Sequence, residues 1–367
     1  MARRNREAPA ELRERVLLAP YTTLGLGGPA RYFHEARTAN DCRDALRYAA
    51  ERQLSVFVLG GGSNVVFADE GFEGLVLRCA VRGVRWDESR DDVVVTAGAG
   101  EDWDGLVREA AARGLNGIEC LSGIPGTVGG TPIQNVGAYG QEIAETLVRV
   151  ACLDRRTLER VEFARDECGF AYRRSRFKEA DRDRYLVLEV TFRLRRGSRP
   201  ERRCPELADA VRRTTSMETL EPQDAVREVR KTVLTLRRRK SMVLDPADPH
   251  SRSVGSFFLN PVLEPEAFAG LAERWRAQGG TAPIPSFPAD ARVKVPAAWL
   301  VEHAGFPRGY RRQGVGISPN HALALVNYGG TARDLLALAG AIEEEVFGKF
   351  AIRLEREPVV VRPTSPL

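Results

Sequence analysis

Two glycine-rich stretches hold residues whose types and spacing suit them to gripping an anion. Residues 121–142 read Leu-Ser-Gly-Ile-Pro-Gly-Thr-Val-Gly-Gly-Thr-Pro-Ile-Gln-Asn-Val-Gly-Ala-Tyr-Gly-Gln-Glu, with six glycines and no charge before Glu142. Each interior glycine costs a helix or strand about 0.5–1 kcal/mol against alanine, so the run is neither. Leu121, Ile124, Val128, Ile133, Val136 and Tyr139 make it too apolar for a solvated linker. What remains is a buried irregular wall whose backbone N–H groups face a ligand, and successive N–H groups form anion-binding concavities. The second stretch is Gly60, Gly61, Gly62, Ser63 and Asn64, directly after the apolar run 55–59. It is neither a Gly-x-Gly-x-x-Gly turn opening a helix nor a lysine-bearing phosphate loop. Taken alone it reads as a tight turn; beside the wall at 121–142 it reads as half of a cradle for a phosphate-bearing cofactor.

The elements that must position these stretches can be read from periodicity. Residues 38–53 space their apolar side chains as a helix, with Thr38 or Asn40 as cap. Residues 55–59 form a short buried strand, and 75–77, 81–86 and 93–97 are further strands. A helix over 102–113 ends at Gly114, in the manner of a C-cap glycine. Residues 143–154, 158–163 and 185–194 read as strands. The polar stretch 196–219 breaks the pattern and reads as a surface insertion or linker. Pro222 opens a helix with Val226, Val229, Val233 and Leu236 on one face. Residues 254–261 form a strand carrying Ser256. Helices at 265–278 and 297–303, a strand at 323–327, a Thr331-capped helix and a last strand at 351–361 complete the chain.

Bulk composition narrows the class. The 43% hydrophobic and 29% charged content across 367 residues is that of a soluble globular protein of two or three domains. No apolar run approaches the roughly 20 residues of a membrane span, and the charged N-terminus lacks a signal-peptide core, which points to the cytoplasm. Cys42, Cys79, Cys120, Cys152, Cys168 and Cys204 include no Cys-x-x-Cys pair, and the four histidines show no metal spacing. Buried, reduced thiols and no metal are expected. The net charge of +5 is concentrated between Arg193 and Lys240. A basic nucleic-acid-binding protein would use such a cluster, but the segment has no aromatic residue on which a base could stack.

Several of these stretches, in this order, resemble the UDP-N-acetylenolpyruvoylglucosamine reductase family. They are 23–30 (Thr-Leu-Gly-Leu-Gly-Gly-Pro-Ala), 59–65 (Leu-Gly-Gly-Gly-Ser-Asn-Val), 124–140, 170–173 (Phe-Ala-Tyr-Arg), 255–261 (Gly-Ser-Phe-Phe-Leu-Asn-Pro), 294–305 and 354–357 (Leu-Glu-Arg-Glu). The resemblance runs from about Thr22 to Val361. It implies an α+β chain: a two-subdomain FAD-binding fold of the vanillyl-alcohol-oxidase type, plus a C-terminal α+β substrate-binding domain. The corresponding division is a polar leader at 1–18, subdomain one at 19–78, subdomain two at 79–222 joined by a C-terminal strand from 350–367, and a substrate-binding domain at 223–349.

The resemblance further implies non-covalent FAD, NADPH as reductant, UDP-N-acetylglucosamine enolpyruvate as substrate, a monomer, and no nucleic-acid or membrane partner. Hydride goes from reduced flavin to C3 of the enolpyruvyl ether and a proton to C2, giving UDP-N-acetylmuramate for cell-wall synthesis. By position, Ser256 matches the proton donor, Arg173 the residue that grips the substrate carboxylate, and Glu357 the residue that orients the developing enol. FAD would lie against Gly60, Gly61, Gly62, Ser63, Asn64, Ile124, Pro125, Gly126, Thr127, Gly129, Gly130, Gln134, Asn135, Gly137, Ala138, Tyr139 and Gly140. Substrate would meet Tyr172, Lys240, Asn260 and His321. One departure stands out. Family members with a long insertion carry a tyrosine over the UDP moiety, whereas this chain reads Arg203-Cys204-Pro205 there and has no tyrosine between Tyr185 and Tyr310. Weaker closure on UDP, or a different residue as lid, is expected. Another FAD oxidoreductase of the same fold is the alternative, but an oxidase has no evident use for Ser256, Arg173 and Glu357 together.

Overall fold

Alternating apolar runs build one mixed sheet around the first glycine stretch. Its strand order is Arg13–Leu17, Pro29–Ala36, Phe72–Cys79 and Val56–Leu59. The last two pairings are parallel. Helix α1 (Ala39–Glu51) makes the crossover and buries Cys42, Ala45, Leu46 and Ala49. Thr38 caps it as expected: its hydroxyl accepts from Asp41 N–H while the Asp41 carboxylate accepts from Thr38 N–H, a reciprocal cap of about 1 kcal/mol. Residues 13–17, expected within a polar leader, instead pair with Pro29–Ala36 as an edge strand, and Leu18 is fully buried. The computed structural model describes residues 8–9, 11–201, 203–214 and 219–363; residues 1–7 and 10 of the expected polar leader, 202 and 215–218 of the expected second subdomain, and 364–367 of the expected C-terminal strand segment lie outside them.

The second sheet is antiparallel, in the order Arg160–Ala164, Leu147–Asp154, Tyr185–Arg196, Asp92–Gly98, Val84–Glu88. Helix α2 (Trp103–Ala112) packs against it through Trp103, whose ring lies 5.7 Å from that of Phe192. Asp102 caps this helix and Gly114 follows it at φ +69°. The expected strand at 143–154 begins only at Leu147, because residues 143–145 form a 3-10 turn.

Two expectations about the second half are corrected. The stretch 196–219 is not structureless: helix α3 (Pro205–Thr214) lies within it. Leu207 and Val211, one helical turn apart, bury against Ala225, Val229, Val233 and Leu236 of helix α4 (Pro222–Arg239). Helix α4 therefore packs with α2 and α3 rather than with the C-terminal domain that follows it. The C-terminal strand is also shorter and placed differently. Val359–Val361 pairs in parallel with Val65–Phe67, so it joins the first subdomain and not the second. Val361 shares a core with Phe33, Phe67 and Phe72, so burial of this last valine anchors the strand there.

The C-terminal domain is an antiparallel sheet, Ser253–Ser256, Ala324–Asn327, Val315–Ile317, Arg311–Arg312. Helices α5 (Pro265–Ala277), α6 (Ala297–His303) and α7 (Ala332–Phe350) complete it, α7 capped by Thr331 and Asp334. Its core also takes in Leu24, Leu26 and Val66 from the first subdomain, so the two bodies share packing. All six cysteines are free and five are buried. Among the described residues no His/Cys/Asp/Glu cluster could hold a metal, and no helix is long and apolar enough to cross a membrane. The arginine-rich segment is partly compensated: Arg203 pairs with Glu145, Arg230 with Asp104, Arg227 with Asp224 and Lys231 with Glu228. Such pairing leaves less charge for a nucleic-acid backbone.

His34 sits 5% exposed in the first sheet, and neither ring nitrogen has a hydrogen-bond partner. Burial holds its pKa below the ordinary value against the pull of Asp41 and Glu11. A lowered folded-state pKa means that the folded protein prefers neutral His34, so stability is lost as pH falls below the unfolded value of about 6.5. Replacing His34 by leucine is expected to shrink the drop in Tm between about pH 8 and pH 5, measured by thermal unfolding of each protein at both pH values. An undiminished drop would exclude His34 as its source.

Candidate active site

The two glycine stretches come together as one surface. A Cβ built on Gly61 would lie 2.6 Å from Gly126 Cα, and one on Gly60 would lie 2.8 Å from Thr127 Oγ1. Gly62, at φ +64°, would place its Cβ 1.9 Å from Tyr21 O. Only glycine permits this backbone-to-backbone approach. The paired stretches wall a cavity of about 560 Å³, lined also by residues of the 170s loop, the end of α4, the strand Ser253–Ser256 and Glu357. The residues fit a flavin dinucleotide: the wall is exposed backbone, apolar over Ile124, Ile133 and Val136, and a Cβ on Gly130 would meet nothing within 4 Å.

Three of the expected cofactor residues are placed elsewhere. Gly129 packs on Ala99, where a Cβ would come within 2.5 Å of the alanine Cβ. Gly140 is exposed at φ +82° beside Arg203, turning the hairpin between Gly137–Ala138 and Gln141–Glu142. Asn135 is buried at φ +46°; its amide nitrogen donates to Glu142 (2.6 Å) and Ala171 O (3.1 Å), and its amide oxygen accepts from Ala144 N–H. Asn135 thus ties the wall to the 170s loop. The remaining fourteen expected cofactor residues line the cavity.

Arg173, Ser256 and Glu357 all reach this cavity from remote parts of the chain. Arg173 adopts φ +55°, a conformation a non-glycine residue holds only where its surroundings over-determine it. Here its guanidinium donates to Gly137 O (2.7 Å) and Asn135 O (3.4 Å), and its Nε lies 3.4 Å from Glu357 Oε1. Glu357 N–H donates to Phe257 O, which sets the glutamate alongside the residue after Ser256. The Glu357 side chain is 14% exposed. Burial pushes its pKa up, while Arg173, Lys178 and Gln134 pull it back. Ser256 is half-buried, and its hydroxyl has no partner among the described residues.

The expected substrate residues divide. Lys240 lines the cavity at the end of α4, with its ammonium 2.7 Å from Glu206 and over the Tyr139 ring. His321 lines it too. Its Nδ1 accepts from Leu323 N–H (3.1 Å), so a neutral ring carries its proton on Nε2. Burial, with Lys240 and Arg237 nearby, lowers its pKa to about 4, so it stays neutral. Tyr172 and Asn260 do not line the cavity. Asn260 caps α6 by accepting from Ala297 N–H, and Tyr172 holds the Lys294 ammonium 5.0 Å above its ring. Sequence reasoning missed two cations. Lys178 lines the wall and donates to Arg173 O. Arg237 lines it with Nε buried and unpartnered and Nη2 on Met242 O. Both lay in arginine-rich runs where no local pattern singles out one side chain. Cys204 and Glu206 also line the cavity, so the segment that lacks the expected tyrosine still reaches it.

Comparison with known proteins agrees with this geometry. Residues 30–157 match the family model described as an FAD binding domain, and residues 246–361 match the C-terminal domain of UDP-N-acetylenolpyruvoylglucosamine reductase. The UDP-N-acetylenolpyruvoylglucosamine reductase of Thermobifida fusca is 47% identical over 95% of this chain and 98% of its own length. The protein of that name from Mycolicibacterium smegmatis is 42% identical over 96% of each. The crystal structure of UDP-N-acetylenolpyruvylglucosamine reductase from Thermus caldophilus superposes with a TM-score of 0.63 at 27% identity, covering 95% of this chain and 99% of that one. Fold and cradle therefore define an FAD-binding oxidoreductase with a separate C-terminal domain closing its cavity. The chain belongs to the UDP-N-acetylenolpyruvoylglucosamine reductase family.

Gly130 and Gly129 separate binding from folding. Gly130→Val points its side chain into the cavity and is expected to lower bound flavin by about tenfold while leaving the apoprotein Tm near wild type. Gly129→Val drives into Ala99 and is expected to lower Tm. Flavin absorbance per protein and thermal unfolding check both, and normal flavin content in Gly130→Val would mean that this face does not meet FAD.

Proposed function

We propose that this protein reduces the enolpyruvyl ether of UDP-N-acetylglucosamine to UDP-N-acetylmuramate, with FAD as its redox group and NADPH as the reductant. The convergence of Arg173, Ser256 and Glu357 on the glycine-walled cavity carries the reading. A cytoplasmic monomer serving peptidoglycan synthesis, and through it cell shape and division, belongs to the same reading.

Bound FAD supplies hydride at C3 of the ether. The chain's own residues answer the charge that then develops at C2 and spreads into the carboxylate. Arg173 offers two nitrogens held by carbonyls on one side, so its planar fork is preset for a carboxylate. Its fixed positive charge stabilises the enolate without reorganising during the step. Ser256 delivers the proton to C2. A serine hydroxyl is a weak acid in water, and Arg173 with Lys178 supplies local positive charge that favours proton departure. Glu357, its pKa raised by burial, holds a proton more readily than an ordinary glutamate and so can donate a hydrogen bond to the enol. Lys240, neutral His321 and Arg237 line the same cavity and offer donors to a diphosphate.

Ser256→Ala is expected to leave reduction of the flavin by NADPH intact and to slow reoxidation by the enolpyruvyl substrate by about 10²–10⁴-fold. Anaerobic stopped-flow absorbance of each half-reaction checks this. Equal losses in both halves would sink the proton-donor role.

A further inference from the structure

Gln134 stands in the glycine wall, and both ends of its side chain are engaged by protein. Asn64 Nδ2 donates to Gln134 Oε1 (3.1 Å) and also to the backbone oxygen of Glu357 (3.4 Å). Gln134 Nε2 donates to Glu357 Oε1 (3.1 Å). Val359 N–H returns to Asn64 O (3.0 Å), which clamps the glycine turn against the C-terminal segment.

The direction of every bond in this chain is fixed. A backbone carbonyl only accepts, so the Asn64 atom facing Glu357 O is its nitrogen. The same nitrogen faces Gln134, which must therefore present its oxygen to Asn64 and its NH₂ to Glu357. An amide NH₂ only donates, so Glu357 Oε1 is an acceptor. Arg173 Nε, 3.4 Å away, converges on the same oxygen. With the Gln134 donor and the Arg173 charge both on Oε1, Oε2 is left as the oxygen that carries hydrogen whenever the carboxyl is protonated.

We infer that Gln134 is a positioning residue of the reaction: with Asn64 it holds Oε1 of Glu357 as an acceptor and thereby assigns the carboxyl proton to Oε2. This deepens the reductase reading and rests on it for the role of Glu357. Cofactor-loop geometry is in this way tied to the orientation of an acid 223 residues downstream of Gln134. Loss of the Gln134 donor removes a hydrogen bond that favours the charged carboxylate, so the Glu357 pKa rises.

The test uses the holoenzyme reduced with dithionite and reoxidised anaerobically by the enolpyruvyl substrate, so it does not depend on NADPH. Wild-type reoxidation by this substrate tests the reductase reading itself; its failure sinks that reading before any variant is made. In Gln134→Leu the reoxidation rate constant at saturating substrate is expected to fall by about ten- to a hundredfold. The substrate concentration at half-saturation should change less than about threefold. The ionisation limb assigned to Glu357, as the one absent in Glu357→Gln, should move to higher pH by about one unit. Placed in the Glu357→Gln background, the same substitution should have almost no further effect. If Gln134→Leu does not retain flavin, the near-isosteric Gln134→Glu is read instead, with the same direction of shift because a second acid beside Glu357 raises its pKa further. An unmoved limb, or full additivity with Glu357→Gln, would overturn the inference and leave Gln134 as a wall residue only.

Discussion

A carboxyl that is almost removed from water, Glu357, sets the constraint on which this molecule depends. Such a group is tolerable only when neutral or when donors reach it. Here a hydrogen bond comes from Gln134 in the glycine wall and a facing positive charge from Arg173 in the 170s loop. Neither group is free to wait in place on its own. Arg173 sits at φ +55° and is anchored on the carbonyls of Asn135 and Gly137, while Asn135 reaches back to Ala171 O. The wall therefore shapes the loop that aims the arginine, and the arginine and wall together hold the acid. The glycine wall, Arg173 and Glu357 thus share one network of hydrogen bonds and charge.

The fold supplies the stiffness that this network needs. The C-terminal segment enters the first subdomain as Val359–Val361 and pairs beside the glycine turn, which fixes the backbone of Glu357 two residues before. On its other side Glu357 N–H is held by Phe257 O, and Phe257 and Phe258 are both fully within the C-terminal core. Leu24, Leu26 and Val66 of the first subdomain are part of that same core. An acid at the seam of two bodies is thus held by both, and packing at the density of protein interiors leaves little room for it to drift.

Much of this was legible in the sequence, and the failures have physical causes. The glycine stretches were read as a cofactor wall because their composition excludes every regular element, and fourteen of the seventeen residues expected at the cofactor line the cavity. Helix caps such as Thr38 and Thr331 were visible because capping is local chemistry. Gly129, Asn135 and Gly140 were misplaced because composition marks a stretch but not which of its residues turn outward. Helix α3 was hidden by charge: only Leu207 and Val211 mark its buried face. The partner of the C-terminal strand is a contact between residues nearly three hundred positions apart, and three valines fit either sheet equally well by pattern.

The missing tyrosine shows why a resemblance is carried residue by residue. The segment around Arg203 lacks the aromatic ring, yet it is not displaced from the site: Cys204 and Glu206 line the cavity, and Glu206 holds Lys240 at 2.7 Å. A phosphate approaching Lys240 competes with that carboxylate, whereas Arg237 has no carboxylate within 4 Å among the described residues. Asp104, whose charge acts on it, is already taken by both terminal nitrogens of Arg230 and by Gly123 N–H. A guanidinium this poorly compensated costs the folded protein stability, and a buried or half-buried cation is relieved when an anion arrives beside it. The positive charge that a diphosphate in this cavity would meet is thus weighted towards Arg237, one turn back along α4 from Lys240, the residue to which the family resemblance pointed.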